Sequence, residues 1–305
     1  MLNWKQKRMN TINNIHEITR HNQKIKEMKL KEIENQQIIN DKLVYYNKMN
    51  INSDLKQNYN SIIPLNIYTC WHTSELPPLM DENYKLLIES NPEFNFHFFD
   101  ETKCRNFIQT NFDETVIKAY DKLIPCAFKA DLWRYCILYK KGGIYIDIKY
   151  KCTNNFKFID ITEKEYFVRD FDTNNVYNAL IVSLPNNEIL LNAIKQIVIN
   201  VNTNYYGESP LHPTSPGLLG TLFTQEKKNS LELFHHYTNI DNIINEYYIV
   251  KNDKIILRFY KDYRIEQKQY QKHEHYHTLW HTHRIYNLDL EFATEFATEF
   301  ATNLN

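Results

Sequence analysis

The sequence predicts an α/β fold, and three observations carry that prediction. From residue 65 onwards, short β-branched and aromatic runs alternate with helical patterns of about 10–15 residues. All 9 Pro lie between Pro64 and Pro216 and all 5 Gly between Gly142 and Gly220, so the turn-forming part of the chain is its middle. A helical stretch over 128–141 is stopped by Gly142-Gly143 and runs directly into the β-rich run 144–152.

In chain order, residues 1–60 contain neither Pro nor Gly. Ile12, Ile15, Ile18, Ile25, Met28 and Ile33 recur there at mostly three- and four-residue steps. That spacing predicts an amphipathic helical extension, either packed on the body or paired as a two-stranded coiled coil. The composition changes at Ser61-Ile62-Ile63-Pro64. Residues 65–71 read as a strand, 79–91 as a helix, 94–99 as a second strand and 101–122 as mostly helical. After the helix over 128–141, residues 144–152 read as one strand. Period-two alternation puts Ile144, Ile146 and Ile148 on one face and Tyr145, Asp147 and Lys149 on the other.

Residues 166–168 and 179–183 read as strands, 188–201 as a helix and 210–220 as a loop. A short helix follows, then strands near 247–250 and 255–259, then a His-rich segment over 273–283. The chain ends in three copies of Glu-Phe-Ala-Thr over 291–302, which predict a frayed helical tail. The expected organisation is a helical extension over 1–60, an α/β domain over 62–288 and a repeat tail over 289–305.

Composition narrows the function classes. Lys and Arg (36) balance Asp and Glu (37), which excludes the basic excess of a dedicated nucleic-acid binder. The five cysteines include no Cys-x-x-Cys pair, which argues for reduced thiols rather than a disulfide framework or zinc knuckle. No window approaches the roughly 18 apolar residues of a membrane span. No signal-peptide stretch and no Asn-x-Ser/Thr sequon appear either, so the expected location is cytoplasmic.

The chemistry concentrates in residues 128–150. Asp131 and Arg134 are three apart, so they share one helix face, while Leu132, Cys136 and Tyr139 are spaced for the core. Asp147 falls at the far end of a strand, where open α/β sheets place ligand groups. Taken together, Ala130-Asp131-Leu132-Trp133-Arg134, then Tyr139, Gly142-Gly143, Tyr145, Asp147 and Lys149, resemble the DXD-motif sugar transferases of GT-A fold. In particular they resemble glycosyltransferase family 32, with its (S/A)D-x-x-R helix and following Y-x-x-GG-x-Y-x-D-x-D. The group contains yeast initiating mannosyltransferases and α-1,4-galactosyltransferases, and is remotely similar to clostridial toxin glucosyltransferase domains. The proline-led run from Ile63-Pro64 to Trp71 and the segment Thr278-Leu279-Trp280 extend the resemblance.

The resemblance implies a GT-A-like glycosyltransferase that moves a hexose from a UDP- or GDP-sugar to a sugar or protein hydroxyl, with retention. It implies that Trp71 stacks on the base, that Asp131 and Arg134 bind sugar hydroxyls, and that Asp147 binds the ribose or sugar. Tyr145 would pack beside the donor, Asn178 near the donor or acceptor sugar, and Thr278 with Trp280 over the diphosphate. It also implies Mn²⁺ or Mg²⁺ on the last Asp of the motif, where this chain has Lys149. Three readings stay open. The metal is lost, it is rebuilt from Asp147 and a histidine such as His277 (among His275, His277, His281 and His283), or Lys149 itself offsets the diphosphate charge. A different class of protein, a nucleotide-sugar-binding pseudoenzyme or scaffold inactivated by Lys149, is the alternative.

Overall fold

The computed structural model describes residues 60–240 and 243–290. The helix or coiled coil expected before residue 60 and the repeats after residue 290 lie outside the described residues. In chain order the described elements begin with β1 (Asn66–Cys70), α1 (Pro78–Ser90), β2 (Asn95–Phe99), α2 (Glu101–Asn111), α3 (Glu114–Lys122) and α4 (Cys126–Lys141). Next come β3 (Gly143–Ile146), β4 (Tyr150–Cys152), β5 (Tyr166–Arg169), β6 (Val176–Ser183), α5 (Glu188–Asn202), α6 (Pro216–Thr221) and α7 (Gln225–Asn229). The last are β7 (Leu233–Ile240), β8 (Ile243–Lys251), β9 (Lys254–Phe259), α8 (Tyr263–Tyr270) and α9 (Tyr276–His281).

Local chemistry explains the boundaries. The Asp100 side chain accepts from Lys103 N at the start of α2, and Asp113 and Asn187 cap α3 and α5 in the same way. Gly142 ends α4 at φ 61° with its N–H donated to Leu138 O. Gly143, at φ 110°, lies so close to β1 that a Cβ would meet Asn66 O at 2.6 Å. A Gly143→Ala variant is therefore expected to lose about 1–3 kcal/mol of stability, read from urea denaturation. An unchanged midpoint would mean that β1 and β3 can separate without cost.

The strands form one mixed sheet of order β2-β1-β3-β6-β5-β7-β8-β9-β4. β1 pairs in parallel with β2 and β3, and β3 pairs antiparallel with β6. The α/β expectation is met. The order also rules out a flat sheet. β3 is third and β4 ninth, so a flat sheet would hold them ~29 Å apart at ~4.8 Å per strand. Only three residues connect them, Asp147, Ile148 and Lys149, which reach ~14 Å at most. The sheet must curl back on itself, and this connection is where the β4 edge returns to β3. Asp147 N donates to Ala179 O in β6 at 2.8 Å, while Tyr260 N, just past β9, donates to Lys149 O at 3.0 Å.

This corrects the single strand expected over 144–152. Alternation holds through β3: Ile144 and Ile146 pack with Ile67, Leu87 and Phe158 on one side of the sheet. Tyr145 packs with Tyr68, Leu132 and Trp133 on the helical side. After Ile146 the chain turns, Tyr150 N donating to Asp147 O, and Ile148 joins Met80, Tyr260 and Tyr263 instead. Buried Asn83 of α1 donates Nδ2 to the carbonyls of Ile148 and Tyr150, supplying partners that a ladder would otherwise give.

Three further elements differ from expectation. The loop expected over 210–220 ends in α6, the His-rich segment contains α9, and β7 was not anticipated. In β7 two histidines interrupt the apolar pattern, yet His235 is buried, its Nδ1 2.9 Å from Asp170 Oδ1. Among the described residues, no helix is long and apolar enough to cross a membrane.

Candidate functional site

A cavity of about 540 Å³ opens where β1 and β3 end, within the range of small-ligand sites. Trp71 follows β1 directly and Asp147 follows β3, so both stand at strand C-termini, as the sheet rule expects. Trp71, Asp131, Tyr145, Asp147, Lys149 and Asn178, all singled out in the sequence, line this one cavity. The Trp71 indole Nε1 is buried there with no hydrogen-bond partner among the described residues.

The charged groups form one network. Lys149 Nζ lies 2.6 Å from Asp147 Oδ2, and Asp147 Oδ1 accepts from Tyr145 OH at 2.7 Å. Arg134 approaches the same oxygen at 3.4 Å, with its guanidinium 4.3 Å from the Tyr145 ring centre. Burial works against the Asp147 charge, but Lys149 and Arg134 outweigh it and hold the carboxyl below its usual range. Burial also opposes the Lys149 charge, and Asp147 overcomes it and raises the ammonium pKa. Each ion keeps the other charged.

Asp131 is placed differently. Its Oδ1 accepts from Asn178 Nδ2 at 2.8 Å and faces Arg134 Nη2 at 3.2 Å, while Oδ2 accepts from the hydroxyls of Thr214 and Ser215. Those four donors fill the acceptor capacity of a carboxylate. Burial raises its pKa, with Arg134 and the two hydroxyls pulling the other way. Arg134 is 5% exposed and is not part of the cavity wall. Its Nη1 donates to Asn178 O at 2.8 Å, so it ties α4 to β6 behind the wall.

Thr278, Trp280 and His277 are not brought to the cavity. All three lie on α9, and the lining comes from His273, Glu274 and His275 before it and from its first residue, Tyr276. The Trp280 indole donates to Tyr206 O at 2.7 Å, and His277 Nε2 lies 3.2 Å from His281 Nε2 on the exposed helix face. Sequence reasoning missed other lining groups: Tyr177 one residue before Asn178, Ser215, Lys129 and Arg264. Lys129, two residues before Asp131 on the same helix, falls off the Asp131–Arg134 face and could not have been found from helical spacing. Arg264 carried no local signal.

A DXD-type Mn²⁺ or Mg²⁺ would need oxygen ligands from this turn. The turn offers one carboxylate, Asp147, and its two oxygens already face Tyr145, Arg134 and Lys149. His277 is elsewhere, so the set Asp147 plus His277 does not form. As arranged, these residues do not fit a hard divalent ion, and the physical reason is the ammonium of Lys149 occupying the second motif place.

Residues 77–168, from the start of α1 through most of β5, match the family described as the glycosyltransferase sugar-binding region containing DXD motif. This stretch is similar to the sugar-binding region of DXD-type glycosyltransferases. It contains Asp131, Arg134, Asp147 and Lys149, whereas Trp71 and Asn178 lie outside it. The chain is similar to an uncharacterized glycosyltransferase of Acanthamoeba polyphaga mimivirus, at 29% identity over 147 residues, 46% of this chain and 58% of that one. It is also similar to inositol phosphoceramide mannosyltransferase 3 of Schizosaccharomyces pombe, at 24% identity over 187 residues, 61% of this chain and 52% of that one. The chain thus spans about half the length of these two relatives. Among solved structures, a PaToxG glycosyltransferase superposes with a TM-score of 0.43 at 17% identity, covering 64% of this chain and 80% of that one.

Proposed function

We propose that the sugar-binding region works as a hexosyltransferase, taking a hexose from a nucleotide diphosphate sugar and passing it to an acceptor hydroxyl with retention. The working unit in this reading is the segment 62–288. The observation that carries it is the cavity at the ends of β1 and β3, which Trp71 and the buried Asp147–Lys149 pair line together. In the reaction the bond from the anomeric carbon to the diphosphate oxygen breaks, and a bond to the acceptor oxygen forms. Trp71 stacks on the base and Asp147 holds the ribose or sugar through its hydroxyls. Lys149, with Arg264 at the rim, offsets the charge of the departing nucleotide diphosphate. Asp131, in the cavity wall, fixes Asn178, and Arg134 behind the wall fixes Asn178 and Asp147. The yeast relative's name adds an inositol headgroup to the sugar and protein hydroxyls as acceptors to screen, and mannose to the donors.

One observation favours a second reading. The motif carboxylate is already satisfied by Lys149, so the cavity could hold a nucleotide sugar without turning it over, as a pseudoenzyme would. Calorimetry with UDP-glucose, UDP-galactose and GDP-mannose, followed by release of UDP or GDP, separates the two. Binding with release on addition of acceptor supports transfer, binding without release in any pairing supports the scaffold, and no binding removes both. In the same assay Trp71→Ala is expected to weaken donor binding by ~1–3 kcal/mol, the size of one lost base stack. Unchanged affinity with lowered thermal stability would make Trp71 a packing residue.

A further inference from the structure

The cavity wall holds a second group of chemistry-bearing residues that sugar transfer does not use. Glu101 opens α2, Cys126 opens α4, and His273 lies in the stretch between α8 and α9. One ligand atom from each, a carboxylate oxygen, Sγ and an imidazole nitrogen, lies within 4.8 Å of the other two. All three line the cavity. The fold gives these atoms little else to do. Lys129 Nζ holds Glu101 Oε1 at 2.6 Å, while Oε2 has only a weak contact with the Cys126 thiol at 3.8 Å. The ring of His72, itself a lining residue, meets that of His273 edge-on at 5.7 Å between centroids. His72 Nε2 is buried with no hydrogen-bond partner among the described residues.

We infer that Cys126, Glu101 and His273 form a binding site for a divalent transition metal ion such as Zn²⁺, with the remaining position left to water. The donor set decides the class of ion. Thiolate and imidazole suit Zn²⁺ and Co²⁺, whereas Mg²⁺ and Mn²⁺ favour carboxylate, carbonyl and water oxygens. On binding, the Cys126 thiol gives its proton to solvent and the thiolate takes the metal. The Lys129 charge is already met by Glu101, so the new thiolate faces the ion without a competing cation bound to it. Because the ligands come from two helix starts and the 271–275 stretch, a bound ion would tie that stretch to the body. The site stands apart from Asp147 and does not rest on sugar transfer.

The test uses the full chain stripped of metal, then titrated with Co²⁺ while thiolate-to-cobalt charge-transfer absorption is followed, and with Zn²⁺ by calorimetry. The expected result is one ion per chain with a thiolate band, and a raised thermal midpoint. The band should vanish in Cys126→Ser, affinity should fall at least about tenfold in His273→Ala, and Asp147→Asn should change neither. A band that survives Cys126→Ser overturns the assignment. So does Co²⁺ bound without a thiolate band, or binding that Asp147→Asn abolishes, since each places the ion elsewhere. Absence of binding overturns it outright.

Discussion

Replacing Asp131 by alanine is expected to destabilise the protein by about 3 kcal/mol, the low end of what breaking a buried ion pair costs. Asp131 and Arg134 are 3% and 5% exposed, so neither ion can turn to water when its partner goes. The loss is broader than one pair, because Asn178, Thr214 and Ser215 all donate to the same carboxylate. It is smaller than the upper end because Arg134 keeps Asp147 at 3.4 Å and Asn178 O at 2.8 Å. Urea denaturation gives the number. A variant as stable as wild type would show that the network relaxes freely, leaving Asp131 as a purely ligand-facing group. The sequence alone leads to the opposite expectation, an Asp131→Ala protein with lost transfer and an unchanged midpoint, because spacing cannot reveal how many donors a carboxylate has collected.

That contrast marks where the sequence was legible. Helix faces and strand faces were readable because they depend on local spacing. The pairing of Asp131 with Arg134, the stop at Gly142-Gly143 and the opposite orientations of Ile144 and Tyr145 all follow from it. The break after Ile146 was not readable. The run to Cys152 has no Gly or Pro, and its bend is imposed by sheet curling and by Asn83 from another element. For the same reason the lining by Arg264 and His273, brought in by chain more than 100 residues downstream, left no local trace. The sequence points to Trp280 because Thr278-Leu279-Trp280 resembles a segment of the family that covers the donor diphosphate. Its indole is instead held by the Tyr206 carbonyl, which only tertiary structure could supply. Asp147 and Lys149 were placed on one face by strand alternation, and they do meet, although through a turn rather than along a strand.

Lys149 carries the other large expected effect. If its ammonium offsets the diphosphate charge, Lys149→Ala should lower kcat by about 10²–10³, the cost of removing one preorganised charge-stabilising group. The wild-type rate, measured after chelation, should then change by less than about twofold on adding Mg²⁺ or Mn²⁺, since the turn offers these ions no free carboxylate. These ions are chosen because a thiolate and imidazole site favours neither, so a Zn²⁺ site at Cys126 leaves the comparison intact. Lys149→Asp reverses the logic. Two carboxylates would then face each other beside the cavity, and their repulsion is relieved best by a cation, so transfer should become dependent on Mg²⁺ or Mn²⁺. Wild-type activity that requires Mn²⁺ would sink the charge-replacement reading and demand another set of oxygen ligands. Equal rates for wild type and Lys149→Ala without metal would reduce Lys149 to the partner that keeps Asp147 ionised. That lesser role stands in either case, because the 2.6 Å pair, together with Arg134 and Tyr145, favours the charged form of the buried carboxylate at the end of β3. What the experiment decides is whether the same ammonium also serves the substrate.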